Sequence, residues 1–239
     1  MKNIKTILAI ATISVLFSAC GGGSGGGTPG SISSERYNLS QDNINDLAYM
    51  GNEERLAHDV YMYLYNYHGK SINQLYNIAS KSETKHISIV RDLVNKYNIT
   101  KDNITNLSTA PVASSSTPQS SLPAGKYDIA SIQNLYNTLI AKGKNSKQDA
   151  LEVGCMVEVT DINDLNEKIE HAQESGAQDL IDGFNILRNG SYNHYWAFDR
   201  GLKNMGVEAG CCSLGDAYCH EEYPNNENQG KGKGRGKRN

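Results

Sequence analysis

The stretch "SETKH", residues 82–86, interrupts a segment whose apolar residues otherwise repeat with the spacing of a helix. Residues three or four apart share one helix face, so Glu83 and His86 lie on the same stripe as Val90 and Leu93. A carboxylate on a buried stripe is costly unless a counter-charge or a metal ion compensates it. The stretch therefore predicts a helix that brings ionisable groups into the protein interior.

Helical periodicity extends through most of the chain, and no segment shows the sustained alternation of an exposed strand. A segment rich in Ser, Pro and Thr, residues 98–125, predicts a long surface loop. The predicted helices are four long ones, Ser40–His68, Ser71–Tyr97, Ser146–Gln173 and Ala177–Met205, and a short one, Ile129–Lys142. The predicted fold class is all-α. We expect an antiparallel four-helix bundle, with the short helix in the crossover between helices two and three that ferritin-like bundles need.

Ionisable residues interrupt the apolar stripe of each long helix about midway along it. They are Glu54, Glu83, His86, Glu158, Asp161 and His194. Four buried carboxylates would protonate or unfold the core without compensation. Two transition-metal ions would compensate them, because carboxylates can bridge the ions and each histidine supplies one nitrogen. This donor set predicts a di-metal centre, with iron as the metal and manganese as the alternative.

The sequence around these residues resembles that of a known family. Glu54 followed by Tyr61 and then by Glu83-x-x-His86 resembles the first half of the ferritin and rubrerythrin pattern. The stretches "EERLAHDVY", "SETKH", "VEVTDINDL" and "NGSYNHYWAF" resemble the prokaryotic ferritin-like family DUF2202, over roughly residues 39–206. The resemblance implies a ferritin-like bundle. It also implies a role for each of five residues. Glu54 would be the first-helix carboxylate, Glu83 the bridging carboxylate and His86 the first histidine. Glu158 would be the third-helix carboxylate and His194 the second histidine.

The chain departs from that pattern in the fourth helix. Ser191 occupies the place where the usual Glu-x-x-His motif carries its glutamate. Asp161, one turn from Glu158, is the residue that could supply the missing carboxylate from the neighbouring helix. A mononuclear or asymmetric site is the alternative.

Other polar residues near the stripes are not predicted to be metal ligands. Glu53 is predicted to face solvent, although a register error of one residue would exchange it with Glu54. His58, His68 and His171 fall off the stripes and are predicted to be surface residues. A Glu-x-x-His pair taken alone is also typical of a solvated helix face; the apolar residues one turn to either side favour the buried interpretation.

The two ends of the chain have a composition unlike the middle. Residues 1–19 combine two lysines, an apolar run and small residues, which is typical of a secretory signal. The sequence "LFSAC" resembles a lipobox, which makes Cys20 the predicted lipidation site, with ordinary signal cleavage or an uncleaved anchor as alternatives. Residues 20–38 read as a Gly/Ser tether and residues 225–239 as a disordered basic tail, whose runner-up role is attraction to anionic lipids.

This organisation predicts a protein of the cell envelope. The bundle, residues 39–206, would be held by its anchor on a membrane outside the cytoplasm. The formal net charge is −3 and the basic residues of the tail leave the rest acidic, so nucleic acid is not an expected partner. The sequence does not indicate the oligomeric state.

Four cysteines remain besides Cys20. Cys155, Cys211, Cys212 and Cys219 make an even number, which suggests disulfides in an oxidising compartment; their pairing is open. A metal site that includes His220 is the alternative, but the segment 207–224 lacks Cys-x-x-Cys spacing.

Three functions compete on this sequence. The first is an enzyme-like di-metal protein that reacts with oxygen or peroxide; the second binds metal without turnover; the third is a metal-free helical interaction protein. The third ranks last because two histidines do not balance four carboxylates. The sequence has no phosphate-binding glycine loop, nucleophile elbow or dinucleotide fingerprint.

Overall fold

The structure, a computed structural model, describes residues 31–105, 121–127 and 129–225. Its α-helices are α1 (Gln41–Tyr67), α2 (Asn73–Ile78), α3 (Thr84–Lys96), α4 (Ala130–Gly143), α5 (Lys147–Ser175) and α6 (Gln178–Asn204). A π-helical turn, Ala79–Glu83, joins α2 to α3. Short 3₁₀ turns lie at Lys101–Asn103, Gly210–Leu214 and Asp216–Tyr218. The described residues contain no strand, so the prediction of an all-α fold is confirmed.

The helix ends follow the local sequence signals. Ser40 caps α1: its side chain accepts a hydrogen bond from the Asn43 backbone N–H, and the Asn43 side chain accepts one from the Ser40 N–H. Ser146 caps α5 by accepting from the backbone N–H of Asp149. Gly176 adopts φ +69° after α5, a left-handed conformation that glycine allows without a steric penalty. The chain then reverses into α6.

The predicted single helix Ser71–Tyr97 needs a correction. It is one helical rod, but the turn Ala79–Glu83 has π geometry and separates α2 from α3. A π turn holds one more residue than an α turn, and such bulges are frequent at functional sites. This turn ends at Glu83, so it sets the rotation at which Glu83 meets the other helices.

The long helices pack as antiparallel neighbours. Helix α1 contacts α3 and α5, and α6 contacts α5 and α3. In each pair, the residues in contact run in opposite order along the two helices. The contacts are, for α1 and α3, Gly51 with Val90 and Glu54 with His86; for α1 and α5, Asp46 with His171 and Tyr61 with Glu158; for α5 and α6, Asp161 with Ser191 and Gly154 with Phe198; and for α3 and α6, His86 with Gly190 and Leu93 with Gly183. Helix α4 lies outside, against α1 and α5.

The apolar core has two parts. One cluster includes Leu64, Leu151 and Phe198, and the other includes Leu47, Leu165 and Phe184. Along α1, α5 and α6, the residues between these clusters include the predicted ligands. The core is therefore interrupted by a polar layer that all four long rods share.

Residues outside the helices also contact them. Part of the predicted tether, residues 31–38, lies against α3 and α6: Lys96 Nζ donates to the Ser33 carbonyl at 3.0 Å, and the Ser33 N–H donates to Asp182 Oδ2 at 3.0 Å. The packed part of the chain therefore begins before Leu39. The predicted signal, Cys20 and residues 226–239 of the basic tail lie outside the described residues. None of the described helices combines the length and apolarity that a membrane crossing requires.

The C-terminal segment is joined covalently to the bundle. Cys155 of α5 pairs with Cys211, and Cys212 pairs with Cys219. His220 contacts Glu222 through Nδ1 at 2.8 Å, and its cysteine neighbours are all in disulfides. The 3₁₀ turns of this segment thus cover one end of α5 and α6.

Candidate metal centre

The structure brings the six predicted ligands into the polar layer. Glu54 comes from α1, Glu83 from the π turn, His86 from α3, Glu158 and Asp161 from α5, and His194 from α6. None is more than 6 % exposed. The ionisable residues that interrupt the apolar stripes of the separate helices therefore lie in one layer across the bundle.

Glu54, Glu83 and His86 form a first group of possible ligand atoms. His86 Nδ1 lies 3.1 Å from Glu54 Oε2 and 3.3 Å from Glu83 Oε2. The same nitrogen thus faces a carboxylate of its own rod and one from α1.

Glu83, Glu158 and His194 form a second group, which shares Glu83 with the first. His194 Nδ1 lies 3.0 Å from Glu83 Oε1 and 3.3 Å from Glu158 Oε2. The two oxygens of Glu83 therefore face different histidines, whose rings stack with centroids 5.4 Å apart. A carboxylate shared in this way by two groups is the arrangement expected of a bridging ligand.

The charges of the two groups depend on one another. Burial raises the pKa of Glu54 to about 7, and His86 opposes that rise. Burial also favours the protonated form of Glu83, but His194 and His86 together bring its pKa below its usual range. Burial lowers the pKa of His194, yet Glu158 and Glu83 raise it to about 10. The histidines and carboxylates of the two groups therefore stabilise one another's charged forms.

Two further contacts hold the ligands in place. Ser82, inside the π turn, lies with Oγ 2.7 Å from His194 Nε2, the nitrogen that points away from the carboxylates. Tyr61 is fully buried and donates from its hydroxyl to Glu158 Oε1 at 2.5 Å. The Tyr61 ring contacts Phe198 in the apolar core, and the sequence pattern gave no sign of the hydrogen bond that its hydroxyl makes.

Asp161 lies outside both groups of ligand atoms. Its Oδ2 accepts a hydrogen bond of 2.5 Å from Ser191 Oγ, while Oδ1 is buried with no hydrogen-bond partner. Burial raises its pKa, and the charges of Glu54 and Glu158 raise it further. Ser191 and Asp161 are therefore in contact, as the departure in the fourth helix suggested, and a ligand role for Asp161 stays a prediction.

The prediction that Glu53 faces solvent is wrong. Its side chain is 3 % exposed, and Oε2 has no hydrogen-bond partner. Because α1 packs on both α3 and α5, its buried surface is wide enough to cover two adjacent residues. A single apolar stripe assigned to α1 from the sequence allows only one of these two residues to be buried.

The three histidines that fall off the stripes are half-buried and bonded outside the centre. Nδ1 of His58 lies 3.0 Å from Asp59, Nε2 of His68 lies 2.8 Å from the Gly143 carbonyl, and Nδ1 of His171 lies 2.9 Å from Asp46. Their assignment as surface residues was thus only partly right, and none of them joins the two ligand groups.

Comparison with known proteins places the chain in a family. The domain described as "Uncharacterized protein domain (DUF2202)" matches residues 43–219, which include the helices of the polar layer. The chain belongs to the DUF2202 family. The resemblance of "EERLAHDVY" and "SETKH" to DUF2202 is thereby confirmed at the level of the family.

The chain is also similar to a relative whose structure has been solved. "Uncharacterized protein MJ0754" of Methanocaldococcus jannaschii is 34 % identical over 168 residues, which are 70 % of this chain and 79 % of the relative. The "Crystal structure of hypothetical protein MJ0754 from Methanococcus jannaschii DSM 2661" has a TM-score of 0.61 at 33 % identity. The aligned region covers 73 % of this chain and 87 % of the solved chain. These likenesses support the helical fold over most of the described residues.

Proposed function

We propose that this DUF2202 protein is a ferritin-like bundle that binds two transition-metal ions, iron in the first place and manganese as the alternative. The observation that carries the proposal is the position of Glu83, whose two oxygens face His86 and His194 separately. Glu54, Glu83 and His86 would hold one ion, and Glu83, Glu158 and His194 would hold the other. The antiparallel packing of α1, α3, α5 and α6, with a long connection between α3 and α5, is what a ferritin-like topology requires.

The donor atoms fit such ions. His194 Nδ1 is buried between two carboxylate oxygens, yet it makes no contact with hydrogen-bond geometry. Glu54 Oε1 is also buried without a partner. Buried polar atoms are rarely left unpaired, because each costs about 1–3 kcal/mol. Carboxylate oxygens and imidazole nitrogens are donors that iron and manganese accept.

The chain prepares these donors in a definite way. A Ser82 hydroxyl that accepts from Nε2–H of His194 leaves the lone pair on Nδ1, which faces Glu83 and Glu158. Tyr61 holds Glu158 by its hydroxyl, and burial keeps bulk water from the carboxylates. Each Nδ1 must lose its proton before it can bind an ion. Bound iron would supply a one-electron couple at each ion for reaction with oxygen or peroxide.

We also propose that the chain is anchored in the cell envelope through a lipid on Cys20, since the first twenty residues have the signal and lipobox pattern. Mass spectrometry of the N-terminal peptide tests this proposal. A diacylglyceryl group on Cys20 is expected, and a Cys20→Ala variant should lose it together with sedimentation in the membrane fraction. An unmodified Cys20 in the mature protein would overturn the anchor without affecting the metal proposal.

Metal analysis of the purified protein after anaerobic loading with Fe(II) tests the binding proposal. We expect two ions per chain, a loss of at least one in Glu83→Gln, and no change in Glu167→Gln, an exposed acid of α5. Circular dichroism of each variant checks that it is folded. Absence of bound iron and manganese from the folded wild type would overturn the proposal. Consumption of oxygen or peroxide by the iron-loaded form would then separate a reactive centre from one that only binds.

A further inference from the structure

Glu53 is a buried carboxylate to which the candidate centre gives no role. It is adjacent in sequence to Glu54 but belongs to neither ligand group. The side chain is 3 % exposed, and Oε2 is buried without a hydrogen-bond partner. An unpaired buried carboxylate oxygen is costly unless a proton or a cation accompanies it.

The packing of α1 on α5 places other acids around Glu53. Asp46 contacts His171, and Tyr49 lies under the ammonium of Lys168, at 5.5 Å from its ring centroid. The next step of this antiparallel register, four residues along each helix, sets Glu53 opposite Asp164. Asp164 is partly exposed, whereas Glu53 is not.

Asp161 lies on α5 between Asp164 and the candidate centre. Asp161 is one turn before Asp164 on α5 and one turn after Glu158. It is 5 % exposed, and its Oδ1, like Oε2 of Glu53, is buried without a hydrogen-bond partner. The acids thus form a series from the surface to the ligands: Asp164, Glu53, Asp161, then Glu54 and Glu158.

We propose that Asp164, Glu53 and Asp161 form an access route between α1 and α5, along which a divalent transition-metal cation passes from the surface to the ligands. The unpartnered oxygens Oε2 of Glu53 and Oδ1 of Asp161 replace water around the ion in turn. The inference rests on the proposed function and adds to it the way in which the ions enter. Lys168, one turn beyond Asp164, is held by Asp46 at 3.6 Å and by Glu167 at 3.3 Å, so its charge is shared with two surface acids.

The competing explanation is a structural acid pair. Burial raises the pKa of Glu53, and the charges of Asp164, Asp161 and Glu54 raise it further, so a proton shared with Asp164 could hold the two helices together. A structural pair affects the stability of the fold. An access route affects the rate at which ions reach the centre, so the two explanations predict different measurements.

Loading of the metal-free full chain with Co(II), followed by the visible absorbance of the bound ion in a stopped-flow instrument, tests the route. Glu53→Gln and Asp164→Asn keep the shape of each side chain and replace its carboxyl group by a neutral amide, which cannot bind the ion as a carboxylate does. We expect both variants to bind as much Co(II) at equilibrium as the wild type but to load about tenfold more slowly, since charged clefts raise association rates by about 10- to 1000-fold. Glu167→Gln removes the same charge from the exposed surface of α5 and should load at the wild-type rate.

Each outcome decides the inference. Slow loading at full stoichiometry in both variants, with a normal rate in Glu167→Gln, supports the route. A wild-type rate in Glu53→Gln and Asp164→Asn overturns it and leaves only the structural pair. Equal slowing in Glu167→Gln also overturns it, because net charge would then be the cause. A wild-type chain that binds no Co(II), Fe(II) or Mn(II) would contradict the proposed function itself.

Discussion

Glu83 joins the two ligand groups, because His86 faces one of its oxygens and His194 faces the other. The surrounding residues matter to the extent that they fix these two imidazoles. His194 has a partner on its outer nitrogen in Ser82, at 2.7 Å. His86 has instead the backbone of α6 beside it: a Cβ at Gly190 would lie 2.3 Å from Nε2. The glycine thus permits the close approach of the ring.

We expect Ser82→Ala to weaken metal binding about tenfold, because the groups that hydrogen-bond to the outer nitrogen of metal-binding histidines typically contribute 10- to 100-fold to affinity. Without the hydroxyl, the Nε2–H of His194 loses its acceptor, and the ring is free to change tautomer. Ser88→Ala, an exposed serine of α3, is the matched control and should bind as the wild type. Competition titration with a chelator measures both. Equal affinities in the two variants would rule out a positioning role for Ser82.

At the residue scale the sequence predicted much of the candidate site. Period-3.6 stripes placed Glu54, Glu83 and His194 in the interior, since each is flanked by apolar residues one turn away. Glu53 could not be found in this way, because its burial depends on a second neighbour of α1 that a single stripe does not represent. The serine hydroxyl of Ser82 carries no periodic signal at all.

At the scale of elements, the π turn Ala79–Glu83 is the feature that the sequence did not reveal. The helix bounds were predictable to within a few residues, from Ser40, Ser146 and Gly176. The π turn was not, because its residues are compatible with an ordinary helix and only packing against α1 and α6 favours the extra residue. It lets Ser82 contact His194 while Glu83 faces both histidines.

Close packing of α5 on α6 depends on Gly154. A Cβ at this position would come within 2.4 Å of the Phe198 ring, so Gly154→Ala should reduce the free energy of unfolding by about 1–3 kcal/mol. Gly51→Ala is the control, because its Cβ would meet Val90 at an ordinary 3.5 Å. That variant should be neutral or more stable by up to about 1 kcal/mol, from helix propensity. Urea denaturation compares them, and equal stabilities would contradict the packing assigned to α5 and α6.

The contact between α1 and α5 should depend on pH through His171. Its hydrogen bond to Asp46, the largest cause, raises its pKa above the ordinary value of 6.5. A raised pKa stabilises the fold fully below the unfolded value, and the stabilisation disappears as pH rises through the folded value. We expect His171→Gln to cost about 1 kcal/mol at about pH 5.5 and less at about pH 9. Urea denaturation at both pH values measures this, and a cost that does not change with pH would contradict it.

At the scale of the molecule, two apolar clusters enclose one polar layer. The clusters bury the layer from both ends of the bundle, and the C-terminal segment covers α5 and α6 beyond one of them. The sequence predicted the all-α fold because helical periodicity runs through most of the chain. It left the cysteine pairing open, because pairing depends on where the segment folds back.

Loss of the Cys155–Cys211 bridge should destabilise the whole molecule more than loss of Cys212–Cys219. The first spans 56 residues and the second 7, and the chain-entropy model gives about 4 and about 2 kcal/mol for loops of these lengths. Double alanine variants of each pair, compared by urea denaturation, provide the measurement. An equal or reversed order of stability would show that these bridges do not act through the unfolded chain.

The central claim is that Glu83 bridges two ions. Anomalous diffraction from crystals of the iron-loaded protein tests it most directly. We expect two anomalous peaks, one beside each oxygen of the Glu83 carboxylate, with His86 and His194 on separate ions. No peak within ligand reach of Glu83, or a single ion with Glu83 as a terminal ligand, would contradict the claim.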